Sequence, residues 1–136
     1  MPIRVGIDLT SVAGVRDSIS THAEHYLDRV YTGGELAECQ TPAGLDAERL
    51  AARFAVKEAA MKVLRPTEHD AVPWNTIEVR HADASGSVEI ELSGRAAELA
   101  AESGLGELSA SLTHESEFAA AVVVAEMAGG GARAGG

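Results

Sequence analysis

Residues 46–64, DAERLAARFAVKEAAMKVL, decide the fold, because they are the longest stretch of the chain that predicts a single helix. No glycine or proline interrupts them, and Pro66 ends the pattern. At about 100° per residue, apolar side chains occupy two nearly opposite faces: Leu50, Phe54, Met61 and Leu64 on one, and Ala52, Val56, Ala59 and Val63 on the other. A helix that is apolar on two sides predicts a position in a core or between subunits.

The polar residues of this helix are confined to two narrow seams. The seams are Arg49, Arg53 and Lys57 on one side and Glu58, Lys62 and Arg65 on the other. Their spacings of three or four residues place the members of each seam next to one another. Both lysines of the chain lie on these seams, although the formal net charge is -10. The position of these few cations is therefore informative.

Two interpretations of the pair Glu58 and Lys62 remain open from patterning alone. In the first, the two side chains form an ordinary intrahelical ion pair, worth about 0.3–0.5 kcal/mol. In the second, burial of the seams makes unpaired charges costly, and a diphosphate with a divalent metal satisfies them together. The carboxylate then holds the metal and the cations hold phosphate, which suits the oxygen ligands that Mg²⁺ prefers.

A second acidic metal ligand is needed, and Asp8 is the best candidate. Residues 3–9, IRVGIDL, predict a buried strand that ends near Asp8, and Gly6 allows another backbone to approach closely. The alternative role of Asp8 is to cap a turn or a helix, because Asp followed by Thr and Ser is common at turns.

The remaining patterns predict an α+β domain. They comprise a helix at 17–30, a second helix with Thr32 as N-cap and Glu35 at the capping-box position, a hairpin of strands at 76–80 and 87–92 around the turn DASG, a helix capped by Ser93 and closed by Gly104, and final strands at 107–114 and 118–127. We expect one domain over residues 1–127. The glycine-rich residues 128–136 predict a flexible tail.

Composition excludes several classes of function. The chain has 21 acidic and 11 basic residues among 136, which argues against broad nucleic-acid binding, since that needs a basic surface. Cys39 is the only cysteine, so no internal disulfide forms and a reducing compartment is expected. No run reaches the roughly 20 apolar residues of a membrane span, and no cationic leader precedes an apolar stretch. We therefore expect a soluble, cytoplasmic protein without a membrane partner.

Five sequence blocks, in order, resemble the trimeric holo-acyl-carrier-protein synthases, the small type of 4'-phosphopantetheinyl transferase. The blocks are GID at 6–8, RVYTGGE at 29–35, RFAVKEAAMK at 53–62, TIEV at 76–79 and SLTH at 111–114. The block at 53–62 is the most specific of them. The resemblance extends to about Met127 and implies an antiparallel sheet packed with a long central helix, in a trimer.

The resemblance implies transfer of the phosphopantetheine arm from coenzyme A to a serine of an acyl carrier protein. By matching position, Asp8 and Glu58 are the implied Mg²⁺ ligands, and Lys62 contacts the diphosphate. Arg53 and His114 are implied to lie near the nucleotide phosphates. The family builds its sites where subunits meet, which suits a helix with two apolar faces. Glu58 is the nearest candidate for the general base, a role that the sequence leaves open.

An acidic carrier needs a local basic docking surface on this acidic protein, because two net-negative proteins repel each other. Arg16, on the segment after the first strand, is the leading candidate. Arg29 is a second candidate, and its alternative role is structural.

The chain departs from the family after the central helix, where a glycine-rich turn is usual. Here residues 65–74 read RPTEHDAVPW, in which proline lacks a donor and two acids repel phosphate.

Other histidines and the tryptophan have simpler interpretations. His114 alone would be taken for a loop histidine bonded to the backbone, and only the resemblance favours the nucleotide role. His22 and His25 have metal-binding spacing but no evident third ligand, so we interpret them as a solvated face. Trp74 is expected in the core or at its edge.

Two further hypotheses accompany the transferase. The first is a non-catalytic trimeric module that binds a carrier protein or a pantetheine-bearing ligand in the same cleft. The second is an unrelated small α+β assembly protein whose charged helix is structural. The sequence does not distinguish carriers of fatty-acid, polyketide or peptide assembly.

Overall fold

The structure is a computed structural model that describes residues 2–81 and 87–128. Its elements, in chain order, are β1 (Ile3–Ser11), α1 (Val12–Val30), α2 (Gly33–Glu38), β2 (Gln40–Thr41), β3 (Gly44–Leu45), α3 (Ala47–Leu64), a 3-10 turn (Trp74–Thr76), β4 (Ile77–His81), β5 (Val88–Leu92), α4 (Gly94–Glu102), β6 (Ser109–His114) and β7 (Phe118–Glu126). This content confirms the predicted α+β class. No helix in the described ranges has the length and apolar character to cross a bilayer.

A five-stranded antiparallel sheet forms the framework, in the strand order β1-β7-β6-β5-β4. The first and last strands of the chain are thus neighbours, with Asp8 opposite Ala121. β5 and β6 are joined only through Glu89 and Ser109. The antiparallel sheet packed with a long central helix was expected from the family resemblance, and the structure confirms it.

α3 is the centre of the core, as its two apolar faces predict. Asp46 caps its start by accepting from the backbone N–H groups of Glu48 and Arg49, and the helix ends at Leu64, before Pro66. Both apolar faces are covered within one chain, by β1, β7, β6 and the other helices. Of the two positions predicted for α3, in a core or between subunits, the structure shows the first, and a contribution of α3 to a subunit contact stays a prediction.

β1 differs from the buried strand that was predicted. It continues past Asp8 to Ser11, and only its even-numbered residues face α3. The odd-numbered apolar side chains point away and are 55–67% exposed: Ile3, Val5, Ile7 and Leu9. The physical reason is that α3 covers one face of this edge strand and leaves the other face open.

The first helix is longer than predicted. α1 begins at Val12 because Ser11 caps it, its side chain accepting from the Gly14 backbone N–H. Ala23 breaks the helix with φ 43° and ψ -122°. α2 follows with the predicted capping box, in which the Thr32 hydroxyl accepts from the Glu35 backbone and the Glu35 carboxylate accepts from the Thr32 backbone.

The hairpin of β4 and β5 is confirmed, with Val79 opposite Ile90. The predicted turn DASG lies outside the described residues, and so do positions 129–136 of the predicted tail. Ser93 precedes α4 as expected, but its side chain makes no capping hydrogen bond. Gly104 follows the helix in a left-handed conformation, φ 69°, which glycine adopts without strain.

Candidate functional site

Gly6 brings β1 and α3 into direct backbone contact. A Cβ atom at this position would lie 2.0 Å from the carbonyl oxygen of Ala59 and 3.1 Å from Cβ of Lys62. No residue other than glycine fits there without a backbone shift. The predicted close approach is confirmed, and its consequence is that Asp8, two residues further along β1, lies beside the polar seam of α3.

Asp8, Glu58 and Lys62 form the polar cluster at this contact. Lys62 Nζ donates to the backbone oxygen of Ile7 at 2.7 Å and lies 3.8 Å from Asp8 Oδ1. Asp8 Oδ2 accepts from the Thr10 hydroxyl at 2.7 Å. The Asp8 side chain is 12% exposed, whereas that of Lys62 is 56% exposed. Lys62 is thus accessible to solvent, whereas the neighbouring carboxylate of Asp8 is largely buried.

This geometry excludes the capping role of Asp8. Asp8 lies within β1, four positions before α1 begins at Val12, and Ser11 caps α1 instead. It also weakens the view of Glu58 and Lys62 as a simple surface pair, because Lys62 turns toward β1. Asp8 of β1 and the Glu58–Lys62 seam of α3 thus form one cluster, and neither element supplies all of its members.

The pKa of Glu58 depends on its burial and on the charges around it. Burial raises the pKa of Glu58 above its ordinary value, and the charge of Asp8 raises this pKa further, while Lys62 lowers it. Two carboxylates that repel each other are stabilised by a shared cation. Two hard oxygen ligands with solvent access also match what Mg²⁺ takes from a protein when substrate oxygens and water complete its shell.

The described residues contain no group of three or more His, Cys, Asp or Glu side chains that could hold a metal. The pair Asp8 and Glu58 would therefore bind an ion only together with ligand oxygens. Their fit to a divalent cation rests on the donor chemistry and on their mutual repulsion.

The other seam of α3 corrects the idea that one diphosphate neutralises all the cations. Lys57 Nζ lies 2.9 Å from Glu35 Oε1, with both side chains fully buried, and donates to the Ile77 and Trp74 carbonyls. Arg53 is 1% exposed and its guanidinium lies 2.7 Å from Glu38 Oε1. Carboxylates of α2 thus neutralise Lys57 and Arg53 inside the fold, since burial of an unpaired charge is too costly.

Arg53 and His114 lie in a second polar cluster, at the end of the sheet. His114 Nδ1 lies 2.5 Å from Glu48 Oε1, so the interpretation as a backbone-bonded loop histidine is wrong. Arg53 Nε is buried without a hydrogen-bond partner in the described structure. Burial lowers the pKa of His81, and the charges of Arg53 and His114 lower this pKa further. The predicted nucleotide contacts of Arg53 and His114 stay predictions.

Arg16 and Arg29 are both exposed on α1, on opposite sides of the break at Ala23. Arg16 borders a groove of about 400 Å³ between α1 and the β2–β3 hairpin. Arg29 borders a groove of about 270 Å³ with His22, His25, Tyr26 and Trp74. His22 and His25 are exposed, as expected. Trp74 packs edge-on against Phe54, with ring centroids 5.3 Å apart, at the predicted edge of the core.

The segment that follows α3 is held by a clamp of charges. Asp70 accepts from the Thr67 backbone and hydroxyl and lies 2.6 Å from the Arg95 guanidinium. These hydrogen bonds lower the pKa of Asp70 to about 2. Arg95 also contacts Glu98 and Glu102 of α4. The acids of this segment are thus partly neutralised within the chain.

Sequence reasoning missed the acidic partners of the buried cations. Glu35 was assigned only to the capping box, yet its second oxygen accepts from the Val79 backbone at 2.7 Å and its first contacts Lys57. A signal existed: a lysine between apolar positions of a core helix requires a buried acid nearby. Which of the 21 acids supplies it depends on the tertiary fold.

The chain thus forms an α+β domain that brings two carboxylates and an exposed lysine to one strand–helix contact. Residues 4–123 match the 4'-phosphopantetheinyl transferase superfamily. This chain belongs to that family.

Relatives support the family assignment over 90–93% of the chain. The holo-acyl-carrier-protein synthase of Koribacter versatilis is 35% identical over 126 residues, which cover 93% of this chain and 99% of the relative. That of Halothermothrix orenii is 37% identical over 122 residues, with 90% and 95% covered. The similarity thus extends over both polar clusters.

Solved structures share the fold. The ACPS–CoA complex of Chronobacterium ammoniagenes superimposes with a TM-score of 0.80 at 32% identity, covering 93% of this chain and 98% of that one. Helicobacter pylori holo-acyl-carrier-protein synthase in complex with coenzyme A gives a TM-score of 0.76 at 27% identity, covering 90% and 100%.

Proposed function

We propose that the chain transfers the 4'-phosphopantetheine arm of coenzyme A to a serine of an acyl carrier protein. The observation that carries the proposal is the cluster of Asp8, Glu58 and Lys62, which the Gly6 contact assembles in a chain of this family. Relatives named for this reaction, and solved relatives bound to coenzyme A, support the same substrates.

In the proposed reaction the serine oxygen bonds to the β-phosphorus of coenzyme A, and the bond from that phosphorus to the bridging oxygen breaks. Adenosine 3',5'-bisphosphate leaves, and the serine proton passes to a base. Lys62 is exposed enough to place its ammonium against the diphosphate, where it offsets the charge that develops on phosphoryl oxygens. Glu58, one helical turn from Lys62 on α3, is the nearest candidate for the base.

Mg²⁺ is part of the proposal, with Asp8 and Glu58 as its protein ligands. A bound divalent cation would polarise the diphosphate and stabilise its charge. The enclosed position of Asp8 and its hydrogen bond from Thr10 fix one carboxylate in orientation. The two carboxylates repel each other. A bound cation would offset this repulsion and so remove the energetic penalty of two adjacent negative charges.

A homotrimer is the proposed assembly. The outer face of β1 exposes four large apolar side chains on an edge strand, and Phe118 at the start of β7 is 46% exposed. A groove of about 210 Å³ lined by Ile7, Ala120 and Val122 lies on the same face. Contiguous exposed apolar surface of this kind marks protein interfaces.

The carrier is proposed to dock on α1, where Arg16 and Arg29 are exposed. Arg16 has the stronger case, because apolar Ile19 and Leu45 line the same groove and supply contact area beside the charge. Changing Arg16 to Glu is expected to raise KM for the carrier and leave KM for coenzyme A nearly unchanged. Equal effects on both constants would contradict a docking role of Arg16.

The proposal places the reaction in the cytoplasm, which the single unpaired thiol, Cys39, supports.

The test of the proposal is a mass measurement. Apo carrier protein is incubated with coenzyme A, Mg²⁺ and the enzyme, and a gain of one phosphopantetheine is expected. Asp8→Asn should lower the rate about 100-fold or more, the usual effect of losing one transition-state contact. Glu68→Gln is the matched control, because it removes one negative charge at an exposed position outside the cluster.

The alternative function, a non-catalytic trimeric binding module, predicts no mass gain with any carrier. If fatty-acid, polyketide and peptide carriers all stay unmodified while the protein still binds them, the transferase proposal is wrong. The described structure supplies no specific observation that favours this alternative over the transferase.

A further inference from the structure

Arg65, which follows α3, has a backbone conformation that an arginine rarely adopts. Its φ and ψ are 53° and 58°, in the left-handed region. Among the described residues, only Arg65 and Ala23 have positive φ without being glycine. Glycine takes this position after a helix without strain, and any other residue lowers stability there. A residue that is strained and large at such a position suggests a functional role for its side chain.

The position of Arg65 connects it to the candidate site. Arg65 follows Lys62 by three residues in the chain, directly after the end of α3, and its left-handed backbone takes it off the seam that helix spacing predicted. Arg65 is exposed. Within residues 2–81 and 87–128 it forms no ion pair, whereas Arg53, Lys57, Arg80 and Arg95 each contact a carboxylate. Its charge is therefore available to an external anion.

The backbone after Arg65 offers few donors to such an anion. Pro66 has no N–H group. The Thr67 N–H donates to Asp70 Oδ2, the His69 N–H to the Thr67 hydroxyl, and the Asp70 N–H to the Thr67 carbonyl. Arg95 holds Asp70 in this arrangement. A phosphate near the end of α3 would thus find its donors on the arginine side chain rather than on the turn.

We propose that Arg65 binds a phosphoryl group of the nucleotide donor and determines the affinity for that donor together with Lys62. The inference rests on the proposed transfer from coenzyme A. A guanidinium offers several N–H donors in one plane and pairs well with phosphate oxygens. The left-handed backbone places this residue directly after the end of α3, three positions from Lys62.

The test measures binding of coenzyme A in Mg²⁺ by calorimetry, together with the melting temperature. Arg65→Gly removes both the charge and the backbone strain, so it should weaken binding about tenfold, as expected for one charge-assisted contact, without lowering the melting temperature. Arg65→Asn tolerates the left-handed conformation and should weaken binding equally. Arg65→Lys keeps the charge and should bind more tightly than either.

Ala23→Gly is the matched control, since it relieves the other non-glycine residue with positive φ and changes no charge. It should leave the affinity for coenzyme A unchanged. A repeat with 3'-dephospho-coenzyme A identifies the phosphate: equal losses for both ligands point to the diphosphate, and a loss for coenzyme A alone points to the 3'-phosphate. Either result supports the proposal.

Binding of Arg65→Gly within twofold of the wild type would overturn the inference, and so would an equal loss in Ala23→Gly. In that case a wild-type enzyme that still modifies the carrier leaves the proposed function standing. If the wild type neither binds coenzyme A nor modifies any carrier, both the proposed function and this inference fail.

Discussion

Gly6→Ala tests the contact that assembles the candidate site. The new Cβ would lie 2.0 Å from the Ala59 carbonyl oxygen and 3.0 Å from its carbonyl carbon. These are backbone atoms of a buried helix, so no side-chain rotation relieves the clash. β1 and α3 must separate by about 1 Å or more before the contact becomes ordinary.

The expected loss of stability follows from this separation. Overpacking of a core typically costs about 1–3 kcal/mol, and we expect about 3 kcal/mol here because the obstructing atoms belong to the backbone. That is a large part of the roughly 5–15 kcal/mol that stabilises a typical domain. At about 4 °C per kcal/mol for a chain of this size, the melting temperature should fall by about 12 °C.

The separation should also impair the site, because Asp8 lies on the strand and Glu58 and Lys62 on the helix. A displacement of about 1 Å can lower a catalytic rate about 100-fold. Urea unfolding gives the change in stability, and the carrier-modification assay gives the rate. Gly33→Ala is the control, since nothing lies within 4 Å of its added Cβ and its φ is not in the left-handed region. A Gly6→Ala protein within about 0.5 kcal/mol of wild type, with full activity, would refute the reasoning.

Three other perturbations test separate parts of the structure. Lys57→Met leaves the Glu35 carboxylate buried without its cation and should lower the free energy of unfolding in urea by about 3–5 kcal/mol. The double variant with Glu35→Gln should lose less stability than the two single variants added together. Additive losses would contradict an interaction between the two side chains. Asp8→Asn removes a charge that raises the pKa of Glu58, so carboxyl NMR should show this pKa falling toward its ordinary value; an unchanged titration means that the acids are not neighbours. Ile7→Glu puts a charge on the exposed apolar face and should convert the proposed trimer to monomers in sedimentation; a monomeric wild type would contradict the trimer.

Local sequence determined the elements of this fold. The uninterrupted run before Pro66 predicted α3, the Thr32–Glu35 spacing predicted a capping box, and the alternation after Thr76 predicted the hairpin of β4 and β5. These signals depend on neighbours within four residues or on side-chain alternation, so they need no knowledge of the rest of the chain. Element ends were less accurate, since β1 and α1 meet at Ser11 rather than at an intervening loop.

Local sequence also predicted which residues belong to the candidate site, but it did not predict how they are arranged in space. Asp8, Glu58 and Lys62 were named from residue chemistry and resemblance, and Gly6 indicated a close approach. That Lys62 turns to the Ile7 carbonyl, 55 positions earlier in the chain, could not be read from helix spacing. The i to i+4 rule favoured Glu58 as its partner, and the strand contact prevailed because it satisfies a backbone carbonyl as well.

The sequence by itself determined that a charged helix would lie in the core and that its charges needed partners. Only the tertiary structure decided which partners they have: Glu35 pairs with Lys57, Glu38 pairs with Arg53, and Asp8 lies beside Lys62. The reason is that the energy of a buried charge depends on distances of a few ångströms, and those distances follow from how β1, α2 and α3 pack rather than from any local pattern. The open face of β1 is a similar case, because exposure depends on what covers a strand and not on its residues.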